Sequence, residues 1–136
     1  MQSKLSLAIV TAVALAACND SQPQRNQTPI RVRHADQDRL FKLDAFNLAI
    51  GLKRAIYDAG YTCKRVTDGG FVGTWKNLDM WMAHCEYDKA RAVDWAVFAG
   101  PDGGAQVRDC KDIPGSGLPE CKITKAPKGS FNTVKE

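Results

Sequence analysis

Tyr61-Thr62-Cys63-Lys64-Arg65-Val66, Met80-Trp81-Met82-Ala83-His84-Cys85, Asp94-Trp95-Ala96-Val97-Phe98 and Ala105-Gln106-Val107-Arg108 are the runs whose reading decides the fold. They are short, rich in aromatic and β-branched residues, and alternate in character with the period of two that a pleated strand imposes. Asp68-Gly69-Gly70 and Pro101-Asp102-Gly103-Gly104 separate them and read as turns, since proline presets a turn corner and glycine accepts the positive φ that follows. The pattern predicts an antiparallel meander of about four to five strands. Its expected pieces are Tyr61 to Thr67, a shorter run from Phe71 to Trp75, a connection over Lys76-Asn77-Leu78-Asp79, a strand from Met80 to Cys85, and a hairpin from Asp94 to Arg108.

Cys63, Cys85, Cys110 and Cys121 frame this stretch. No two of them form a C-x-x-C pair, so the spacing does not indicate zinc, covalent haem or a dithiol redox centre, and no cofactor or metal is expected. Cys63 opens its strand and Cys85 closes its own, so antiparallel neighbours would bring them together. Cys110 and Cys121 flank the loop Ile113-Pro114-Gly115-Ser116-Gly117-Leu118-Pro119, which needs a staple. The expected bridges are therefore Cys63–Cys85 and Cys110–Cys121, although four cysteines allow three pairings. His84 adjoins Cys85, but neighbouring strand residues point to opposite faces, which is poor geometry for a thiol and its base. Asp79, Glu86 and Asp94 are acids that no motif pairs, and no catalytic residue is assigned.

The chain has 136 residues, room for one domain, with 44% hydrophobic and 25% charged residues and a net charge of +4. Its basic residues are scattered without a run of four. Nucleic-acid binding is not expected, because phosphate recognition needs a concentrated stripe of cations.

Met1 to Ala17 has Lys4 in a short leading region, an apolar run from Leu5 to Leu15, and then small residues. That is the layout of a secretory signal, and the apolar run is too short for a spanning helix. It closes on Leu15-Ala16-Ala17-Cys18, which resembles the lipobox of bacterial lipoproteins. The resemblance implies cleavage before Cys18, acylation of its thiol (palmitate among the chains) and a Gram-negative envelope address. Cysteine arithmetic supports it, because lipidating Cys18 leaves an even four of the five cysteines. In that family an Asp directly after the cysteine favours inner-membrane retention; Asn19 stands there, so the periplasmic face of the outer membrane is expected. Residues 1–17 are read as signal peptide, 18–35 as a polar tether, 36–122 as a single α+β domain and 123–136 as a loose basic tail.

A helix is expected from Asp36 or Asp38 to Ala59, with Gly60 after its end. At 100° per residue one stripe holds Phe41, Ala45, Leu48, Ala49, Leu52, Ile56 and Ala59, the face to lay on a sheet. A second stripe holds Leu43, Phe46, Ile50 and Tyr57. Covering one sheet needs a single stripe, so the second meets the chain's own C-terminal segment, another protein or a second copy.

The tryptophan-and-cysteine meander is similar to that of small exported proteins of alphaproteobacteria, a resemblance that implies no particular activity. The function expected is a lipid-anchored periplasmic binding or accessory protein, not an enzyme, docking a protein partner through Leu43, Phe46, Ile50 and Tyr57. The alternatives are a binder of cell wall or small ligands through a face carrying Trp75, Trp81 or Trp95, and an inhibitor of a secreted hydrolase.

Overall fold

In the computed structural model of the protein the described residues are 33–88 and 90–131. The signal segment, Cys18 and residues 132–136 lie outside them. The chain is α+β: α1 (Ala35–Leu40) and α2 (Ala45–Asp58), then β1 (Arg65–Trp75), β2 (Leu78–Glu86), β3 (Ala92–Ala99) and β4 (Ala105–Asp109), followed by a 3-10 turn at Cys110–Asp112. The strands form one four-stranded antiparallel sheet in the order β1-β2-β3-β4.

The single long helix expected over this region is two helices. Asp44 is the reason: its carboxylate accepts the Asn47 amide at 2.8 Å and caps α2. A cap residue has extended backbone, so the preceding turn must end there. Helix α1 is capped by His34 and not by Asp36 or Asp38. The His34 ring accepts from the Asp36 amide, and the Gln37 side chain accepts from the His34 amide. The break lets Phe41 drop inward against Phe71 and Trp81, with ring centroids 4.8 and 4.9 Å away. Gly60 takes φ +86° just beyond α2, the left-handed position that glycine fills most cheaply.

Asp68-Gly69-Gly70 is not a turn but part of a continuous β1, and Leu78-Asp79 belongs to β2. The turn between them is Lys76-Asn77, with Lys76 at φ +54°. Gly69 and Gly70 are there for close approach. A Cβ on Gly69 would stand 2.8 Å from the Met82 carbonyl oxygen, and one on Gly70 would stand 2.7 Å from Ile123 Cγ2. Register shifts between Val66 and Asp68 and between Phe71 and Gly73 bend the strand as bulges do.

Both faces of the sheet are covered. On one, Leu48, Leu52 and Ile56 of α2 pack on Trp81, Ala83, Trp95 and Val97. On the other, Val72, Met80, Ala96 and Phe98 lie beneath Ile113 and Leu118 of the loop between Cys110 and Cys121. Cys63 is bonded to Cys85 and Cys110 to Cys121. The first bridge sits in the helix-side core, and the second holds the loop over the outer one.

The C-terminal segment, expected to be loose from 123, is tied down as far as Phe131. The Thr124 and Lys125 amides donate to the Phe71 carbonyl at 2.8 and 3.1 Å, and Phe71 returns its amide to Lys125 at 2.9 Å. Farther along, the Ala45 amide donates to the Lys128 carbonyl at 2.8 Å, and Phe131 packs on the helix-side core. The segment thus shields part of the otherwise open edge of β1, where unpaired backbone groups would invite another strand.

Candidate functional site

Helix α2 is amphipathic for a simple reason: Ala45, Leu48, Leu52 and Ile56 recur at spacings of three and four and are all buried. Roughly 110° around the helix from that face come Phe46, Ile50, Lys53 and Tyr57. Phe46 is 59% exposed, Ile50 52% and Tyr57 49%, against nearly zero for the core face. Lone exposed apolar residues are ordinary, but three large ones on one side of one helix make a patch. Fully burying a large apolar side chain is worth about 1.5–3 kcal/mol, and this fold leaves roughly half of that unrealised at each of the three.

Lys53 completes the patch without putting charge in its middle. Its Nζ donates to the Lys64 carbonyl at 2.7 Å and lies 5.9 Å from the Tyr57 ring centroid. The methylenes are thus left in the patch while the ammonium leans toward the start of β1. The C-terminal segment, which the sequence offered as one cover for this stripe, crosses β1 and the start of α2 instead. Leu43 is separated from the other three: it sits in the turn between the helices, half-buried and packed on the core.

No protein-family model, curated protein or solved structure matches the chain. The site is therefore read from its own geometry.

Three other places were candidates. A cavity of about 180 Å³ opens between the two helices and the β3–β4 hairpin. Its walls are small and apolar (Gly51, Ala55, Val97, Ala105), and it has polar groups only at Asp36, Gln37 and the backbone of the hairpin glycines. Gly51 of α2 is part of its wall, and a Cβ there would meet nothing within 4 Å.

The acids named from sequence are all engaged. Asp79 is fully buried and takes a two-pronged hydrogen bond from Arg33, Nη1 to Oδ1 at 3.1 Å and Nη2 to Oδ2 at 2.7 Å. Arg33 Nε also reaches Asp38 at 2.9 Å. Hydrogen bonding to Asp79 first, then to Asp38, raises the Arg33 pKa above its ordinary value. Beside this clamp the buried Gln37 donates to the carbonyls of Asn77 and Ala99 at 3.0 and 3.1 Å. Sequence reading missed the clamp, because Arg33 lies in what looked like tether and its partner is 46 positions away.

Asp94 lies 2.5 Å from His84 Nδ1, and Glu86 faces Arg65 at 3.7 Å. A His–Asp couple orients a base, but the nearest thiol in sequence, Cys85, is locked in its bridge on the other face. Among the described residues no group of three His, Cys, Asp or Glu side chains is placed to hold a metal ion.

The tryptophans lie mostly inside. Trp81 is 3% exposed and Trp95 8%, both beneath the helix side, and Lys76 lies over the Trp75 ring. What remains of an aromatic surface beside the tryptophans is Tyr61 tilted at 34° against Trp95, centroids 4.6 Å apart, in an open cleft with Gln106, Arg108 and Asp112.

Proposed function

We propose that this chain is a lipid-anchored, periplasm-facing docking protein of the bacterial envelope, working without catalysis through the exposed flank of α2. The observation that carries the docking reading is the contrast along that helix. Every other large apolar group on α2 is covered, while Phe46, Ile50 and Tyr57 stand in water in a line. The anchor is supported by Leu15-Ala16-Ala17-Cys18 closing an apolar run. None of the described helices is long and apolar enough to cross a membrane, so in this reading attachment falls to the lipid.

The two halves have separate tests. Expressed in a Gram-negative host, the wild-type chain should fractionate with membranes and take up labelled palmitate. Cys18→Ser should take up no label and should keep its leader, running larger than the processed wild type; a variant that is still labelled, or is processed as before, would refute the anchor. For docking, a photo-reactive side chain at Phe46 or Ile50 should give a discrete adduct in cells, and one at the buried Leu48 should give none. Silence from both exposed positions would sink the docking reading. The cleft of Tyr61, Trp95, Gln106 and Arg108 would then become the preferred site, with wall fragments as the ligands it suits: a ring face to stack on and polar groups for hydroxyls and carboxylates.

A further inference from the structure

The cavity between the helices and the β3–β4 hairpin has open space, apolar walls and a fixed floor. About 180 Å³ is free there, somewhat more than the roughly 150 Å³ in which an apolar protein cavity takes up benzene. Leu40, Leu52, Ala55 and Val97 supply its apolar walls. It lies away from the docking flank, since Ala55 is roughly 160° around α2 from Tyr57. Gln37, only 1% exposed, fixes the floor: Nε2 donates to the Asn77 and Ala99 carbonyls, and Oε1 accepts the His34 amide. A hollow held in this way requires little reorganisation when a ligand enters.

Two groups in its lining have no role in holding the fold. The first is Gly51. Glycine is the poorest helix former after proline, yet a Cβ at this interior position of α2 would meet nothing within 4 Å. Alanine would strengthen the helix without a clash, and a residue that breaks a local rule for no packing reason points to function. The second is Asp36 Oδ2. Arg39 Nη1 donates to Oδ1 at 2.9 Å. His34 Nδ1 stands 3.2 Å from Oδ2, but it already accepts the Asp36 amide and has no proton to give. Oδ2 thus takes no donor from the described residues. A Cβ on Gly103 would stand 3.7 Å from it, which sets this open acceptor beside the hairpin wall of the cavity.

We infer that this cavity binds a small neutral molecule of about seven heavy atoms, mostly apolar and carrying one hydrogen-bond donor. Its body replaces water along Leu40, Leu52, Ala55 and Val97. Its hydroxyl or N–H donates to Asp36 Oδ2, and a bond to an ionised acceptor is among the stronger kinds. Charge selects against ions: an anion would meet the carboxylate, and a cation would find Asp36 already balanced by Arg39.

The test titrates the full lipidated chain, in lipid nanodiscs, with phenol, and with toluene as the counterpart that lacks a donor. Methyl NMR signals of Leu40, Leu52 and Val97 should shift and saturate with a phenol Kd on the order of 0.1–1 mM. Those of Ile113 and Leu118, across the sheet, should stay in place. Asp36→Ala should weaken phenol about tenfold and leave toluene within about twofold. Gly51→Leu should abolish binding of both. Gly51→Ala should weaken both while raising the melting temperature by roughly 3–6 °C, because the helix gains what the site loses. Absence of a saturable shift at the cavity signals overturns the inference, and so does phenol binding that both Gly51 variants leave intact. Phenol affinity unchanged by Asp36→Ala overturns the donor-bearing ligand class. Crosslinking from Phe46 and Ile50 is a separate readout, so this site stands or falls apart from the docking reading.

Discussion

Replacing Arg33 with methionine should cost this domain about 3 kcal/mol, a large share of the 5–15 kcal/mol that holds a typical domain folded. The loss comes from Asp79, not from Arg33 itself. Asp79 sits in β2 with no solvent exposure, and both its oxygens receive the guanidinium, at 2.7 and 3.1 Å. Removing the guanidinium takes two charge-assisted hydrogen bonds from a fully buried carboxylate, in a place where water cannot replace them. The guanidinium also covers the Phe41 ring at 5.5 Å, so some packing goes with it. The double variant Arg33→Met, Asp79→Leu should recover much of the loss, because a buried ion pair is often no better than a well-packed apolar pair. Urea unfolding of the four members of this cycle reads the coupling. Equal losses in the Arg33→Met single and the double variant would show that the ion pair is not what matters. The pH sign follows from the direction of the shift. The folded-state pKa of Arg33 is raised, so its contribution is complete below its unfolded pKa and is lost only above that. Across the neutral range the penalty of Arg33→Met should therefore be flat with pH.

That clamp marks the limit of what the chain discloses before it is folded. Alternation over Met80 to Cys85 and Asp94 to Phe98 places Trp81, Ala83 and Cys85 on one face, as found, because period two is a property of consecutive residues. The hairpin at Pro101 to Gly104 was legible for the same reason, its chemistry being local. Asp44 and Asn47 carried a legible cap signal as well, but helical periodicity on both sides of it hid the break. Gly69 and Gly70 misled in the opposite way. Glycine pairs are turn residues in most settings, and here their lack of a side chain admits Met82, Ile123 and Lys125, which lie far along the chain. Contacts of that range have no sequence signature. Apart from the Thr124 hydroxyl, which donates to the Phe71 and Val72 carbonyls, the ties of Thr124, Lys125 and Lys128 are backbone bonds that nearly any residue type would make, so the ordered C-terminal segment could not be read either. At the candidate site, the stripe of Phe46, Ile50 and Tyr57 was visible by helical arithmetic. What arithmetic lacked was the position of the break, which removes Leu43 from the stripe and turns it into the core.

The second large effect is expected at the cysteines, and the two bridges should fail differently. Cys63 and Cys85 close a separation of 22 residues and Cys110 and Cys121 one of 11. On chain entropy alone these are worth about 3.4 and 2.8 kcal/mol, a small difference. Burial widens it. Cys63 and Cys85 are wholly inside the helix-side core with Ile56, Trp95 and Val93, whereas Cys110 and Cys121 are half-exposed. Alanine at positions 63 and 85 therefore adds a cavity to the lost cross-link, for a total near 4–5 kcal/mol. At about 4–8 °C per kcal/mol for a domain of this size, melting should fall by some 20–30 °C, cooperatively and with loss of the whole fold. Alanine at 110 and 121 should cost about 2–3 kcal/mol, and the loss should begin locally. This bridge holds the loop that sets Ile113 and Leu118 over Val72, Met80, Ala96 and Phe98. Once released, the loop opens at a free energy below that of global unfolding. The outer core should then bind a hydrophobic dye, and amides of the loop should exchange hydrogen early while those of α2 stay protected. Early exchange in α2 of the 110/121 variant would mean that the outer core is not an independent layer. A melting temperature lowered more by that variant than by the 63/85 pair would place the main structural brace on the loop side of the sheet.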